Sequence, residues 1–333
     1  MKIAVVGAGS WGTALALVLA RKGLKTTLWC RRRELEEEIK ETRQNSYYLP
    51  QIHIPPQVTP TSDLEEAVRG CQVVVLSVPS QAVRELGRRL RQALPGDILL
   101  VNTAKGLEVE SLKRLSQVLQ EEGWKRIAVL SGPSHAEEVA RGLPTTVVTA
   151  SENLKDAEHV QDIFMEASFR VYTSSDVIGV ELGGALKNVI ALATGIAEGL
   201  GLGDNARAAL MTRGIAEMAR LGVAMGARAM TFAGLSGIGD LIVTCTSRYS
   251  RNRRAGILLG QGRSLEEVIS STRMVIEGIR TTVAARSLAH RYGVRMPITE
   301  EVYQVLYGGK APAKSVADLM GRPRTHEMEP GVW

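Results

Sequence analysis

Cysteine is scarce. The 333 residues hold three, Cys30, Cys71 and Cys245, too few and too far apart for a disulfide framework or a zinc-ligand spacing. Reduced thiols in a cytoplasmic setting are the expectation, with no metal site. Aromatic residues are scarce as well, at 4%, and the longest basic run is Arg31-Arg32-Arg33. The net charge of +6 therefore comes without the stacking platforms of a nucleic-acid binder. An anionic small molecule suits that charge better, although a basic surface tuned only for solubility would look the same. Long uncharged apolar runs are missing too. Residues 3–20 follow Lys2 and look like a secretory signal, but Gly7, Gly9 and Gly12 interrupt them. No later run reaches the ~18 uncharged apolar residues of a membrane helix, so no span is expected.

What is present is ordinary globular composition, 44% apolar and 23% charged, with 33 clustered glycines. The length suggests two domains at roughly 150 residues each. In the first part, short apolar runs alternate with helical patterns. Strands are expected at Lys2–Val6, Lys25–Cys30, Val73–Val78, Ile98–Asn102, Ile127–Ser131 and Thr145–Thr149. Helices are expected at Trp11–Lys22, Arg33–Arg43, Leu64–Val68, Gln81–Leu94, Leu112–Glu122 and His135–Arg141. This alternation predicts a parallel sheet covered on both faces. Asn45–Pro60 carries four prolines and reads as an irregular excursion. Helical patterns then take over: Glu181–Leu200, Asn205–Met225, Ser264–Ile269, Ile276–Tyr292 and Thr299–Tyr307. The tail Arg322–Trp333 is expected to fray. The fold class is α/β, an N-terminal Rossmann-like doubly wound sheet over residues 1–180, followed by an all-α domain over residues 181–333. The first would bind a dinucleotide and the second would hold the substrate and the catalytic group.

Gly7-Ala8-Gly9-Ser10-Trp11-Gly12 is a G-x-G-x-x-G between an expected strand and an expected helix, the context that gives the pattern meaning. Gly7 permits the turn, Gly9 lets a pyrophosphate approach, and Gly12 lets helix and strand pack closely. An NAD site usually places an acid about 20 residues on, for the ribose hydroxyl. Here the second strand runs into Cys30, Arg31, Arg32 and Arg33 with no acid before Glu34. Guanidinium forks suit a 2′-phosphate, so NADPH is the expected cofactor, with NADH still usable.

Along 181–200, Leu182, Ala185, Leu186, Val189, Ile190, Ala193 and Ile196 make one apolar stripe. Lys187 lies away from it, among Gly183, Gly184, Ala191 and Thr194. A lysine covered on such a small-residue surface would lose water, and its pKa would fall toward that of a proton-transfer group. A surface lysine beside helix-packing glycines would look the same. Gly234, Gly237 and Gly239 before Asp240 read as a flexible, backbone-exposing loop. Ser250, Arg251 and Asn252 read as a capped helix start able to cradle an anion. The loops 102–106, with Lys105, and 131–136, with Gly132, Ser134 and His135, fall at the carboxyl edge of the expected sheet, where ligands sit. His135 ranks below both lysines as an acid because it begins a helix.

Together these segments resemble the bacterial-type NAD(P)-dependent sn-glycerol-3-phosphate dehydrogenases over nearly the whole chain. The resemblance rests on GAGSWGTALA at 7–16, NTAKGLE at 102–108, SGPSHAEEVA at 131–140 and ELGGALKNVIALATGI at 181–196. GLGDNARAALMTRGIAEMARLG at 201–222 and LSGIGDLIVTCTSRYSRN at 235–252 complete it. It implies reversible reduction of dihydroxyacetone phosphate to sn-glycerol 3-phosphate with NADP(H) or NAD(H), feeding glycerophospholipid synthesis, by a cytoplasmic homodimer. It implies Lys187 as general acid, and Lys105, Gly132, Ser134, Asp240, Ser250, Arg251 and Asn252 around the substrate. Around the cofactor it implies Gly7, Gly9, Ser10, Trp11, Gly12, Arg31, Arg32, Lys105, Ala136, Arg251, Val275 and Glu277, with Tyr48 closing over it. The family often has glycine after Tyr-Leu-Pro, where this chain has Gln51. Two other readings compete: an NADP-dependent hydroxyacid or ketopantoate-type reductase, and a non-catalytic NADPH-binding redox sensor.

Overall fold

The computed structural model describes residues 1–94, 96–272, 274–324 and 326–327. The chain forms two compact units, Met1–Ala104 with Leu115–Val177, and Lys105–Arg114 with Ile178–Trp333. The expected border at 180/181 falls inside a continuous helix. Residues 105–114, expected within the first domain, belong to the helical unit, where Leu107 enters the core.

The first unit holds an eight-stranded sheet: β1 (Lys2–Val6), β2 (Lys25–Trp29), β3 (Val58–Thr61), β4 (Val73–Leu76), β5 (Leu99–Asn102), β6 (Ile127–Ser131), β7 (Thr145–Ala150) and β8 (Phe169–Ser174). Their order is β3-β2-β1-β4-β5-β6-β7-β8. Neighbours are parallel except β6 and β7. Side chains alternate across each strand. Ile3 and Val5 enter one core and Ala4 and Val6 the other, so helices must cover both faces. One face packs on α1 (Ser10–Arg21), α2 (Arg33–Thr42), α6 (Ala136–Ala140) and α7 (Leu154–Phe164). The other packs on α3 (Leu64–Val68), α4 (Val83–Ala93) and α5 (Leu115–Glu121). The strand order reverses at β1, between β2 and β4, which puts the switch point at the glycine turn.

Two strands depart from expectation. β3 lies inside the proline-rich excursion, which is therefore only partly irregular. It is an edge strand, where Pro60 opposite Leu28 costs no ladder donor. β8 is the opposite edge. Its Phe169 and Val171 are buried while Arg170 and Tyr172 face out, so it never forms the continuous apolar run that marked the central strands.

The second unit is helical: α8 (Val177–Gly199), α9 (Gly203–Ala224), α10 (Ala229–Phe232), α11 (Asp240–Thr246), α12 (Arg251–Gly260), α13 (Leu265–Ser270), α14 (Glu277–Arg291), α15 (Pro297–Tyr307) and α16 (Pro312–Met320). α8 and α12 cross through glycines. A Cβ on Gly195 would lie 2.2 Å from the Arg253 carbonyl oxygen, and one on Gly256 would lie 2.3 Å from that of Leu192. The expected flexible loop before Asp240 is instead a π-helical turn, Leu235–Gly239. Its Gly237 packs so closely that a Cβ would sit 2.0 Å from the Phe232 carbonyl.

Two stretches, Val177–Gly199 and Ala229–Thr246, are long and apolar enough to cross a membrane by length and composition, although neither was singled out from the sequence. The apolar window of the first is 94% buried within this chain, and that helix carries Glu181 and Lys187. Of the tail 322–333, residues 325 and 328–333 lie outside the described residues.

Candidate functional site

The first cluster is the glycine turn. Gly7 has φ +115°, and a Cβ there would meet the Ser77 carbonyl oxygen at 2.2 Å, so only glycine fits. A Cβ on Gly12 would lie 1.9 Å from the Gly7 carbonyl oxygen, which is how closely α1 returns over β1. At Gly9 a Cβ would meet nothing within 4 Å. α1 then starts with no side-chain cap and no acid in its first turn. The buried Trp11 Nε1 has no hydrogen-bond partner among the described residues. Uncapped N–H groups at a positive helix end, beside a glycine with nothing over its Cβ position, fit a pyrophosphate. Ser10 is tied down, its Oγ donating to the Tyr48 carbonyl at 2.6 Å.

At the end of β2, Arg31 and Arg32 are exposed, and Arg32 lies 6.0 Å from the centre of the Tyr47 ring. The buried acid of α2, Glu36, is taken up by Lys40 and by the Ser62 N–H at 2.8 Å, so it is engaged elsewhere than at a ribose. On the β6–α6 loop, Gly132 has φ +128° and its carbonyl accepts from Ser134 Oγ at 2.8 Å. His135 caps α6 and Ala136 opens it.

The second cluster lies wholly in the helical unit. Lys187, 6% exposed, projects from α8 onto Asp240 Oδ1 and donates to Thr244 Oγ1 at 2.7 Å. Asp240 is 1% exposed, and its other oxygen takes Lys105 Nζ at 2.8 Å. Two ammonium groups thus share one carboxylate, leaving an excess of positive charge. Burial pushes the Lys187 pKa down to about 8, opposed by Asp240 and reinforced by Lys105. Burial also works against the Asp240 charge, but Lys105 and Lys187 together hold that carboxyl below the usual range.

The capped helix start expected at α12 lies next to this cluster. Ser250 Oγ caps the helix by accepting from the Arg253 N–H at 3.2 Å. Asn252 Nδ2 donates to Asn188 Oδ1 at 2.8 Å, and Asn188 Nδ2 reaches the Lys105 carbonyl at 3.5 Å. Asn252 Oδ1 accepts from the Gly278 N–H at 2.9 Å, beside Glu277. Arg251 Nη1 donates to the Val275 carbonyl at 2.8 Å. Within this unit the structure therefore gathers Lys105, Lys187, Asp240, Ser250, Arg251, Asn252, Val275 and Glu277. Within the other it gathers the glycine turn, Tyr48 and the arginines.

The sequence reading assigned no role to Thr244 or Asn188. Thr244 sits one helical turn after Asp240, and Asn188 directly follows Lys187; those spacings were the available signals.

A parallel α/β sheet with an open glycine turn, joined to a helical unit with a buried lysine, defines the class of pyridine-nucleotide-dependent dehydrogenases. The sequence models described as NAD-dependent glycerol-3-phosphate dehydrogenase N-terminus and C-terminus match residues 2–157 and 176–317. A glycerol-3-phosphate dehydrogenase (NAD(P)+) of Moorella thermoacetica is 66% identical over 99% of both chains. One of Pelotomaculum thermopropionicum is 58% identical over 98% of this chain and 95% of its own. The solved glycerol-3-phosphate dehydrogenase of Coxiella burnetii superposes with a TM-score of 0.93 at 41% identity, covering 96% of this chain and 99% of that one. The chain belongs to the NAD-dependent glycerol-3-phosphate dehydrogenase family. It is an oxidoreductase that uses NADP(H) or NAD(H) and a small-molecule substrate.

Proposed function

We propose that this enzyme reduces dihydroxyacetone phosphate reversibly to sn-glycerol 3-phosphate, with the sheet unit holding the dinucleotide and the helical unit the substrate. The observation that carries the chemistry is the buried Lys187 ammonium. Of its three N–H groups, one goes to Asp240 and one to Thr244, which leaves the third for a substrate oxygen. Bound NAD(P)H supplies the hydride for the carbonyl carbon. As the C=O π pair moves onto oxygen, Lys187 gives that oxygen its proton and becomes a neutral amine; Asp240 and Thr244 keep Nζ in place. In the reverse direction the amine takes the proton back. Lys105 adds positive charge where the oxygen turns negative. The substrate phosphate finds cationic and polar partners in the excess charge of the lysine pair and in Ser250, Arg251 and Asn252.

In the cofactor site, Gly7, Gly9, Ser10, Trp11 and Gly12 hold the pyrophosphate. Arg31 and Arg32 meet a 2′-phosphate; Tyr48 and Ala136 line the rest of the sheet unit's share. NADPH is preferred and NADH usable. The enzyme works as a cytoplasmic homodimer supplying glycerophospholipid synthesis. Its free, buried cysteines and the exposed Met230, Ile238 and Ile242 support this setting.

The test is to follow NADPH and NADH oxidation separately with dihydroxyacetone phosphate and with its unphosphorylated analogue, dihydroxyacetone. Turnover should require the phosphate. Equal rates on both ketones, or turnover only with 2-keto acids, would overturn the substrate reading. Alanine at Arg31 and Arg32 should raise KM for NADPH about tenfold or more, and KM for NADH far less. Equal effects on the two cofactors would contradict recognition of the 2′-phosphate.

A further inference from the structure

The proline-rich excursion after α2 does more than connect α2 to β3. Asn45 is fully buried within it. Its side-chain amide donates from Nδ2 to the Ala8 carbonyl at 3.0 Å and to Thr13 Oγ1 at 2.9 Å. Its Oδ1 accepts from the Tyr48 N–H at 3.3 Å, and its backbone carbonyl accepts from Leu49 at 2.8 Å. The loop is itself anchored. Arg43 donates from Nε to the Ile54 carbonyl at 2.9 Å and from Nη2 to the carbonyls of Pro55 and Val58.

The Ala8 carbonyl and the Gly9 N–H belong to one planar trans peptide, so they point in opposite directions. Holding the carbonyl inward on Asn45 aims the Gly9 N–H outward. Among the described residues that N–H makes no hydrogen bond, and a Cβ on Gly9 would meet nothing within 4 Å. We infer that Asn45 is a positioning residue for the cofactor: its carboxamide locks the Ala8–Gly9 peptide so that the Gly9 N–H faces the pyrophosphate. This rests on reading the glycine turn as the dinucleotide site. A buried donor pair of this kind spares the turn from reorganising when the anion arrives, so its loss appears as weaker binding. Asparagine is required because a carboxylate would set a negative oxygen against the Ala8 carbonyl.

The experiment titrates wild type, Asn45→Ala, Asn45→Asp and Thr13→Val with ADP-ribose, which carries the pyrophosphate, and with 2′-AMP, which does not. Wild type should bind both. The Asn45 variants should weaken ADP-ribose binding by about 10-fold or more, as the loss of a buried hydrogen bond does, and leave 2′-AMP nearly unchanged. At saturating cofactor, their KM for the ketone should stay near wild type. Thr13→Val removes the other Nδ2 bond and should lower Tm without this selective loss. Equal ADP-ribose affinity in folded Asn45 variants would overturn the inference alone. Failure of wild type to bind ADP-ribose would overturn the reading of the turn itself. If the variants do not fold, amide NMR of wild type decides. ADP-ribose should move the Gly9 amide downfield, and the Asn45 carboxamide protons should be protected from exchange before it is added. Rapid exchange of those protons would contradict the lock.

Discussion

Lys187 and Gln51 show what single residues contribute. Lys187 keeps a lowered pKa, about 8, because burial works against its charge more strongly than Asp240 supports it. Ketone reduction needs the ammonium, so its rate should be flat at low pH and fall as pH rises through about 8; alcohol oxidation needs the free amine and should rise over the same range. Profiles of kcat against pH in both directions check this, and parallel rather than mirrored profiles would contradict it. Gln51 has φ +65°, in the left-handed region that favours glycine. That accounts for the glycine the family often carries there, and it shows that glutamine keeps the loop's shape under strain. Gln51→Gly should therefore stabilise the protein by about 1 kcal/mol, read from urea unfolding, with no loss of turnover. A lower midpoint would mean that the strain is compensated by a contact of the glutamine side chain.

At the scale of elements, helix crossing places the chemistry. α8 carries Lys187 and Asn188, and α12 carries Ser250, Arg251 and Asn252; the two helices touch through Gly195, Gly199, Gly256 and Gly260. The obstacle to a Cβ at Gly195 or Gly256 is mainly backbone, which cannot rotate away. Gly256→Ala should cost about 2–4 kcal/mol and raise KM for the phosphorylated ketone. Circular dichroism melting and steady-state kinetics test this together; an unchanged KM in a destabilised variant would separate the crossing from the site.

Elements also mark what local sequence could disclose. The glycine turn and the lysine helix were legible because strand, turn and helix signals, and a stripe with one lysine off it, all lie within about twenty residues. β3 escaped because its proline sits harmlessly on an edge, and β8 because a half-exposed strand alternates rather than running apolar. The π-helical turn looked like a loop because its glycines read as flexibility, whereas Gly237 is required by its close approach to the Phe232 carbonyl and the turn is met from α8 by Gly183, where a Cβ would strike the Ser236 carbonyl.

At the scale of the molecule, the two units divide the work. The glycine turn proposed to hold the dinucleotide phosphates lies in the sheet unit, and Lys187, the proposed proton donor, lies with its partners in the helical one. The pairing of Lys105 with Asp240, 135 residues apart, was invisible in any local window, and so was the passage of residues 105–114 into the helical unit. Local spacing supplied the candidates; only tertiary packing showed that one carboxylate serves two lysines. The division also makes binding and chemistry separable. The most direct measurement is the turnover of Lys187→Ala on dihydroxyacetone phosphate, with NADPH affinity measured on the same preparation. Loss of about 10²–10⁴ in kcat with unchanged NADPH binding is the predicted result. Near-normal turnover in the folded variant would contradict the assignment of Lys187 as the proton donor.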